Sequence, residues 1–239
     1  DYSDYEALKA KYEDLNEVWD QLLDKKKEYI EMSYGAEADK VGEEAIDIIK
    51  KQIASYKELG KARLKAGASA GSHSIGVRQM NRMTASDKQD VREAAAEYGF
   101  DANKVLSGRM TELFNLTTEQ LIGLRDNAQS FWAKLDDDVR EYLNNIIEAE
   151  ERIKEINDSV AEQLTQISFD SLYDSFVDSL MDMDKSAKDF SEDFSKYMMK
   201  AMLATAVANT YRKQLEEWYQ SFAKANNDEE GITPEERAD

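Results

Sequence analysis

Apolar residues recur along the first thirty positions in alternating steps of three and four. Tyr5, Leu8, Tyr12, Leu15, Trp19, Leu22 and Tyr29 make up the series, with Lys26 and Ser33 as its polar members. This spacing predicts an a/d coiled-coil seam of about four heptads. Lys25, Lys26 and Lys27 fall toward the end where cations complement the helix dipole. Gly35 suits the position just past the C-cap. A second amphipathic stretch, Glu37 to Lys65, gathers Val41, Ala45, Ile48, Ile49, Ile53, Tyr56 and Leu59 on one side. Two such helices joined by a short turn predict an antiparallel hairpin with arms roughly 40 Å long. Tyr12, Leu15, Trp19 and Leu22 are expected to face Ile48, Ile49, Ile53 and Tyr56 across it.

The periodicity breaks at Gly67-Ala-Ser-Ala-Gly-Ser-His-Ser-Ile-Gly76, so residues 67–83 are expected to be a flexible linker after the hairpin of residues 1–66. Residues 84–135 predict a small lobe of shorter helices. Thr117 and Gln120 form a capping box there, and Leu113, Phe114, Leu116, Leu121, Phe131, Trp132 and Leu135 supply a local core. Residues 136–167 then predict a long bundle helix. Asp136, Asp137 and Asp138 stand at its positive end, and Val139, Leu143, Ile146, Ile147, Ile153, Ile156, Val160, Leu164 and Ile167 form its seam. The last region, 168–239, opens on three tetrads, Phe169-Asp-Ser-Leu, Tyr173-Asp-Ser-Phe and Val177-Asp-Ser-Leu, which place an aspartate every fourth residue of an amphipathic helix. A final helix capped by Asp184 and running from about Lys185 to Ala225 is rich in aromatic and methionine side chains. The expected fold is all-α: a long antiparallel hairpin or coiled-coil bundle, a small helical lobe and a long C-terminal helix.

Composition sharpens this picture. The only proline is Pro234, and charged residues make up 34% of the chain against 41% hydrophobic, a balance that suits long helices with narrow apolar seams. The absence of cysteine excludes disulfides, thiolate catalysis and Cys-based metal sites, and fits a reducing compartment. A net charge of −19 argues against a broad nucleic-acid surface, and Leu135 to Ser195 alone holds 18 Asp/Glu against 5 Lys/Arg. The longest uncharged helical stretch is Ala201 to Tyr211, well short of the roughly 20 residues of a membrane span. No leader peptide is visible in Asp1-Tyr-Ser-Asp4, and the immediate entry into heptads suggests a piece of a longer polypeptide.

Candidate chemistry is sparse. His73, the only imidazole, sits in a Gly/Ser loop with nothing to position it as a base. Gly71 to Arg78 has the glycine spacing of a P-loop, but Val77 and Arg78 replace its Lys and Ser/Thr. Asp170, Asp174, Asp178 and Asp182 form either a docking stripe for a basic partner or divalent cation, or a solvated face; the solvated face is the simpler reading. Asn226 to Glu236 resembles a calcium loop in part, but its register puts Arg237 where the bidentate glutamate belongs. The Glu-x-x-His pairs of di-iron bundles are absent, and no pocket-forming architecture for paired glycosidic carboxylates is suggested. No catalytic, cofactor or metal site is expected. The one surface of interest is a seam of Phe190, Phe194, Tyr197, Met198, Tyr211, Leu215, Trp218 and Phe222 on the last helix, which serves either self-association and partner docking or burial within the chain.

From Glu112 onward the chain resembles the tape measure proteins of tailed phages and prophages. The resemblance rests on Leu113-Phe-Asn-Leu-Thr-Thr-Glu-Gln-Leu121, Phe131-Trp-Ala-Lys-Leu-Asp-Asp-Asp-Val139 and Phe169-Asp-Ser-Leu-Tyr-Asp-Ser-Phe-Val-Asp178, and continues in Asp182 to Phe190 and Glu217 to Phe222. It implies a non-enzymatic virion component, a helical ruler in the tail lumen, present in host cytoplasm before assembly. Its partners would be tail tube and tail-tip proteins or other copies of itself. As a single helix the chain would span about 360 Å. A cytoplasmic coiled-coil adaptor or assembly factor is the alternative expectation. An enzyme would require a deep pocket gathering carboxylates of shifted pKa.

Overall fold

The computed structural model describes residues 2–33, 35–67, 73–182 and 194–225, with residues 179–182, 194–203 and 205 described by backbone alone. In order, the elements are α1 (Tyr2–Met32), α2 (Gly35–Lys65), α3 (Ile75–Asn81), α4 (Ala85–Tyr98), α5 (Ala102–Val105), a 3-10 turn (Thr111–Asn115), α6 (Thr118–Asn127), α7 (Gln129–Ala133), α8 (Asp137–Thr165), α9 (Phe169–Asp182) and α10 (Phe194–Ala225). Among the described residues there is no strand, so the fold is all-α. No helix described is long and apolar enough to cross a membrane. Two compact units divide the chain, residues 1–24 with 46–153 and residues 25–45 with 154–239. Gly35 makes the turn between α1 and α2 with φ 51°, a left-handed conformation that glycine adopts without a Cβ clash.

In the first unit, side-chain hydrogen bonds give the sense of each long helix. Tyr12 bonds Glu58, Asn16 bonds Ser55, and Gln52 bonds Asp20, so numbers fall on α2 as they rise on α1. The two helices therefore run in opposite directions. Tyr5 reaches Asp138 and Asp20 lies 3.5 Å from Arg152, so α8 runs parallel to α1. Near the start of α8, Arg63 forms a two-pronged pair with Asp136, at 2.9 and 3.1 Å. The same guanidinium lies over the rings of Tyr2 and Tyr5. Tyr142 donates to the Tyr5 hydroxyl at 2.8 Å, and Tyr5 donates in turn to Asp138 at 2.7 Å. Burial pushes both phenols up, Tyr142 to about 12.

The predicted seam of α1 needs correction toward its C-terminus. Leu8 and Leu15 are half-buried, but Leu22 is 41% exposed and Tyr29 51% exposed, while Leu23 and Ile30 are buried in their place. Seven residues of a straight helix fall about 20° short of two full turns, so a strict heptad line rotates away from the face it began on. On α2 the expected Ile49 and Ile53 are buried, Ile48 and Tyr56 are partly so, and Gln52 and Ser55 join them.

The small lobe is built on caps. Within the stretch expected to be linker, Ile75–Asn81 is a helix instead. Ser74 accepts from the Val77 amide to start it, and Ile75 and Gln79, one turn apart, both point inward. Gln79 then accepts from the Asp136 amide at 2.6 Å. Capping boxes open α4 at Thr84/Asp87 and α6 at Thr117/Gln120, the latter as expected. All seven residues predicted for the local core are buried. Asp87, 2% exposed, meets Lys134 at 2.5 Å, and that contact holds its carboxyl well below the usual carboxylate range.

The second unit takes in residues 25–45 and the C-terminal part of α8. Lys26 pairs with Glu44, and Ile30, Ala38, Val41 and Ala45 are buried. The seam of α8 continues through buried Ile156, Val160 and Leu164. Gln166, with φ 58°, turns the chain into α9.

Two substitutions test this packing. A Cβ at Gly60 would lie 1.9 Å from the fully buried ring of Phe114. Gly60→Ala is expected to lower stability by about 1–3 kcal/mol despite its higher helix propensity, measured by urea unfolding. Asp87→Asn is expected to cost about 2 kcal/mol at neutral pH, since it leaves the Lys134 ammonium without its counter-charge. Because the native pKa of Asp87 is depressed, its contribution is full above an ordinary carboxylate pKa of about 4 and drains away as pH falls through the native value. In Asp87→Asn that acid-side slope should shrink.

Candidate functional site: an aromatic line on the last helix

The second unit fixes α10 from two sides. On α9, Tyr173 donates to Asn209 at 2.5 Å, and Arg212 lies over the rings of Phe169 and Tyr173 at 5.2 and 4.6 Å. Numbers rise on one helix as they fall on the other, so α9 and α10 are antiparallel. On α8, Lys154 meets Glu216 at 3.0 Å and Gln220 donates to Asp158 at 2.9 Å, one turn further along both helices. This gives α8 and α10 the same direction. Burial beside the Glu216 carboxylate raises the Asp158 pKa.

Tyr219 sits where the three helices meet. It is 2% exposed, packs against Phe169 at 5.8 Å, donates to the Ile167 carbonyl and lies 3.4 Å from Thr165 Oγ1. Ala204, Ala208 and Ala223 are buried on α10 as well. Small side chains let a neighbouring helix approach closely, and alternating them with one large ring fills the space without overpacking.

The predicted seam falls on a different line of the same helix. Phe190 lies outside the described residues. Phe194, Tyr197 and Met198 are on the α10 backbone, but their side chains are outside the description. Leu215 is half-buried, whereas Tyr211, Trp218 and Phe222 are 49%, 52% and 38% exposed. Trp218 and Phe222 stack at 5.1 Å with 10° between their planes, a flat aromatic ledge one turn long. Three of the eight seam residues are exposed, and sequence reasoning missed the buried Tyr219, one position from Trp218. The alanines around it were the available signal, because they mark the close-packed side.

The aspartate column is divided. Asp170 lies 3.9 Å from Arg212, so at that end the chain supplies its own basic partner, while Asp174 and Asp178 are exposed. The side chain of Asp182 and the whole of Asn226 to Glu236 lie outside the described residues. His73 is exposed, and the P-loop-like stretch runs into α3. Among the described residues no three His, Asp or Glu side chains converge as metal ligands. What the site shows is an exposed aromatic line. Burying one large apolar side chain is worth about 1.5–3 kcal/mol.

Compared with known proteins, the chain matches no family model, no curated protein and no solved structure.

Proposed function

We propose that this chain is a non-enzymatic structural segment of a phage or prophage tail tape measure protein, acting as a helical ruler and scaffold in the tail lumen. The observation that carries the scaffold reading is the exposure of Tyr211 and Trp218, 49% and 52%, on a helix that buries Ala204, Ala208, Tyr219 and Ala223. Such a line suits coiled-coil pairing with a tail component or another copy. The ruler reading draws on the resemblance in Leu113 to Leu121, Phe131 to Val139 and Phe169 to Asp178, and on the linear conversion of helical residues into length. A coiled-coil adaptor is the second reading. It is favoured by the way α1, α2 and α8 lie alongside one another in the first unit, since side-by-side helices give up length.

The scaffold reading predicts association that strengthens with salt, because screening relieves the repulsion of a −19 chain while the apolar contact persists. Sedimentation at about 50 and 500 mM salt should show a larger species at the higher value. Trp218→Ser with Phe222→Ser should abolish it, and a monomer at both salts would refute the seam. The ruler reading makes a separate prediction. Removing roughly 28 helical residues from the parent protein should shorten assembled tails by about 42 Å, whereas an adaptor would leave tail length unchanged.

A further inference from the structure

A polar layer interrupts the apolar packing of the first unit. Gln52 and Ser55 are 0% and 1% exposed, on the side of α2 where adjacent turns bury Ile49, Ile53 and Leu59. Asn16 Nδ2 donates to Ser55 Oγ at 3.1 Å and to the Tyr12 carbonyl at 2.8 Å. Ser55 donates to the Gln52 carbonyl at 2.7 Å, and Gln52 Nε2 donates to Asp20 at 2.7 Å. Arg152 Nη1 approaches the same Asp20 oxygen at 3.5 Å, bringing α8 into the layer. The arrangement is incomplete. Among the described residues, the buried side-chain atoms with no hydrogen-bond partner are Asn16 Oδ1, Gln52 Oε1 and Arg152 Nε, and all three belong to this layer. A cleft of about 440 Å³, lined by Asn16, Asp20, Tyr56, Tyr142 and Asn145 among others, leads solvent to its edge.

An unpaired polar atom shut away from water favours any state that hydrates it. Each one shifts the closed-to-open balance toward opening by roughly five- to a hundredfold, and replacing such a group by an apolar one of similar shape is often neutral or stabilising. We propose that this layer is a built-in opening point, at which α1 separates from α2 and α8 while the small lobe stays folded. Opening hydrates three unpaired atoms in one step and exposes the apolar turns on either side only locally. The lobe contributes none of these unpaired atoms: its buried carboxylate is paired with Lys134, and α4 and α6 open on capping boxes. This deepens the ruler reading, since a segment that folds side by side in isolation needs a way to extend. The experiment uses the chain alone, however, and its outcome does not depend on tail assembly or association.

Native-state hydrogen exchange of the full chain, read by fragment mass spectrometry, tests the proposal. Residues 12–20, 48–56 and 142–152 are expected to exchange through an opening that leaves residues 113–135 protected. Gln52→Met, alone and combined with Asn16→Leu, is expected to slow exchange in those three segments by at least about tenfold without changing 113–135. Exchange that is unchanged or faster in Gln52→Met would overturn the proposal, because the layer would then hold the helices together. Equal protection of the layer and the lobe in the unaltered chain would overturn it too, and that comparison stands even if a variant fails to fold.

Discussion

A straight α-helix completes a turn every 3.6 residues, and no arrangement of side chains along it escapes that number. A line of residues spaced by heptads slips about 20° around the helix with each repeat. Over the thirty residues of α1 the slip is enough to carry the d line out of the buried face, from half-buried Leu8 and Leu15 to exposed Leu22 and Tyr29. The same rotation acts on α10, where Ala204 and Ala208 are buried but Tyr211, Trp218 and Phe222, which continue their spacing, are not. On α1 and α10, the exposure of these residues follows from this one geometric mismatch. Supercoiling would cancel it.

Narrow seams also change what holds the helices in register. Apolar contacts along a helix are tolerant of sliding, whereas a hydrogen bond or a two-pronged ion pair is not. Arg63 on Asp136, Tyr5 on Asp138, Gln79 on the Asp136 amide and Lys134 on Asp87 each tie together residues far apart in sequence. In the first unit these bonds cluster at the start of α8, where three aspartates meet the positive end of the helix dipole. The polar layer at Gln52 and Ser55 is the opposite case, with atoms that sequence places inward and that packing does not fully pair.

Much of this was legible in the sequence for a simple reason: element type and local core depend on near neighbours. The all-α fold, the Thr117/Gln120 box, the lobe core from Leu113 to Leu135 and the seam of α8 all rest on spacings within one helix or one turn. The helix at Ile75–Asn81 was hidden because a seven-residue element following a Gly/Ser-rich stretch carries too few apolar positions to show a period. Gln52 and Ser55 were passed over because polar residues on a helix are normally read as outward-facing. Which side of α10 is buried depends on α8 and α9, and nothing local distinguishes Trp218 from Tyr219 except the small size of the residues that share its face.

Tyr219 is consequently a position where chemistry and shape cannot be separated. Its ring fills the junction of three helices, while its hydroxyl serves the Ile167 carbonyl just past the left-handed turn at Gln166. Phenylalanine would keep the fill and leave that carbonyl to Thr165 Oγ1 alone, 2.9 Å away; leucine or serine would empty the junction as well. The entry into α9 and the placement of α10 thus draw on one side chain at once, its hydroxyl serving the turn and its ring the junction.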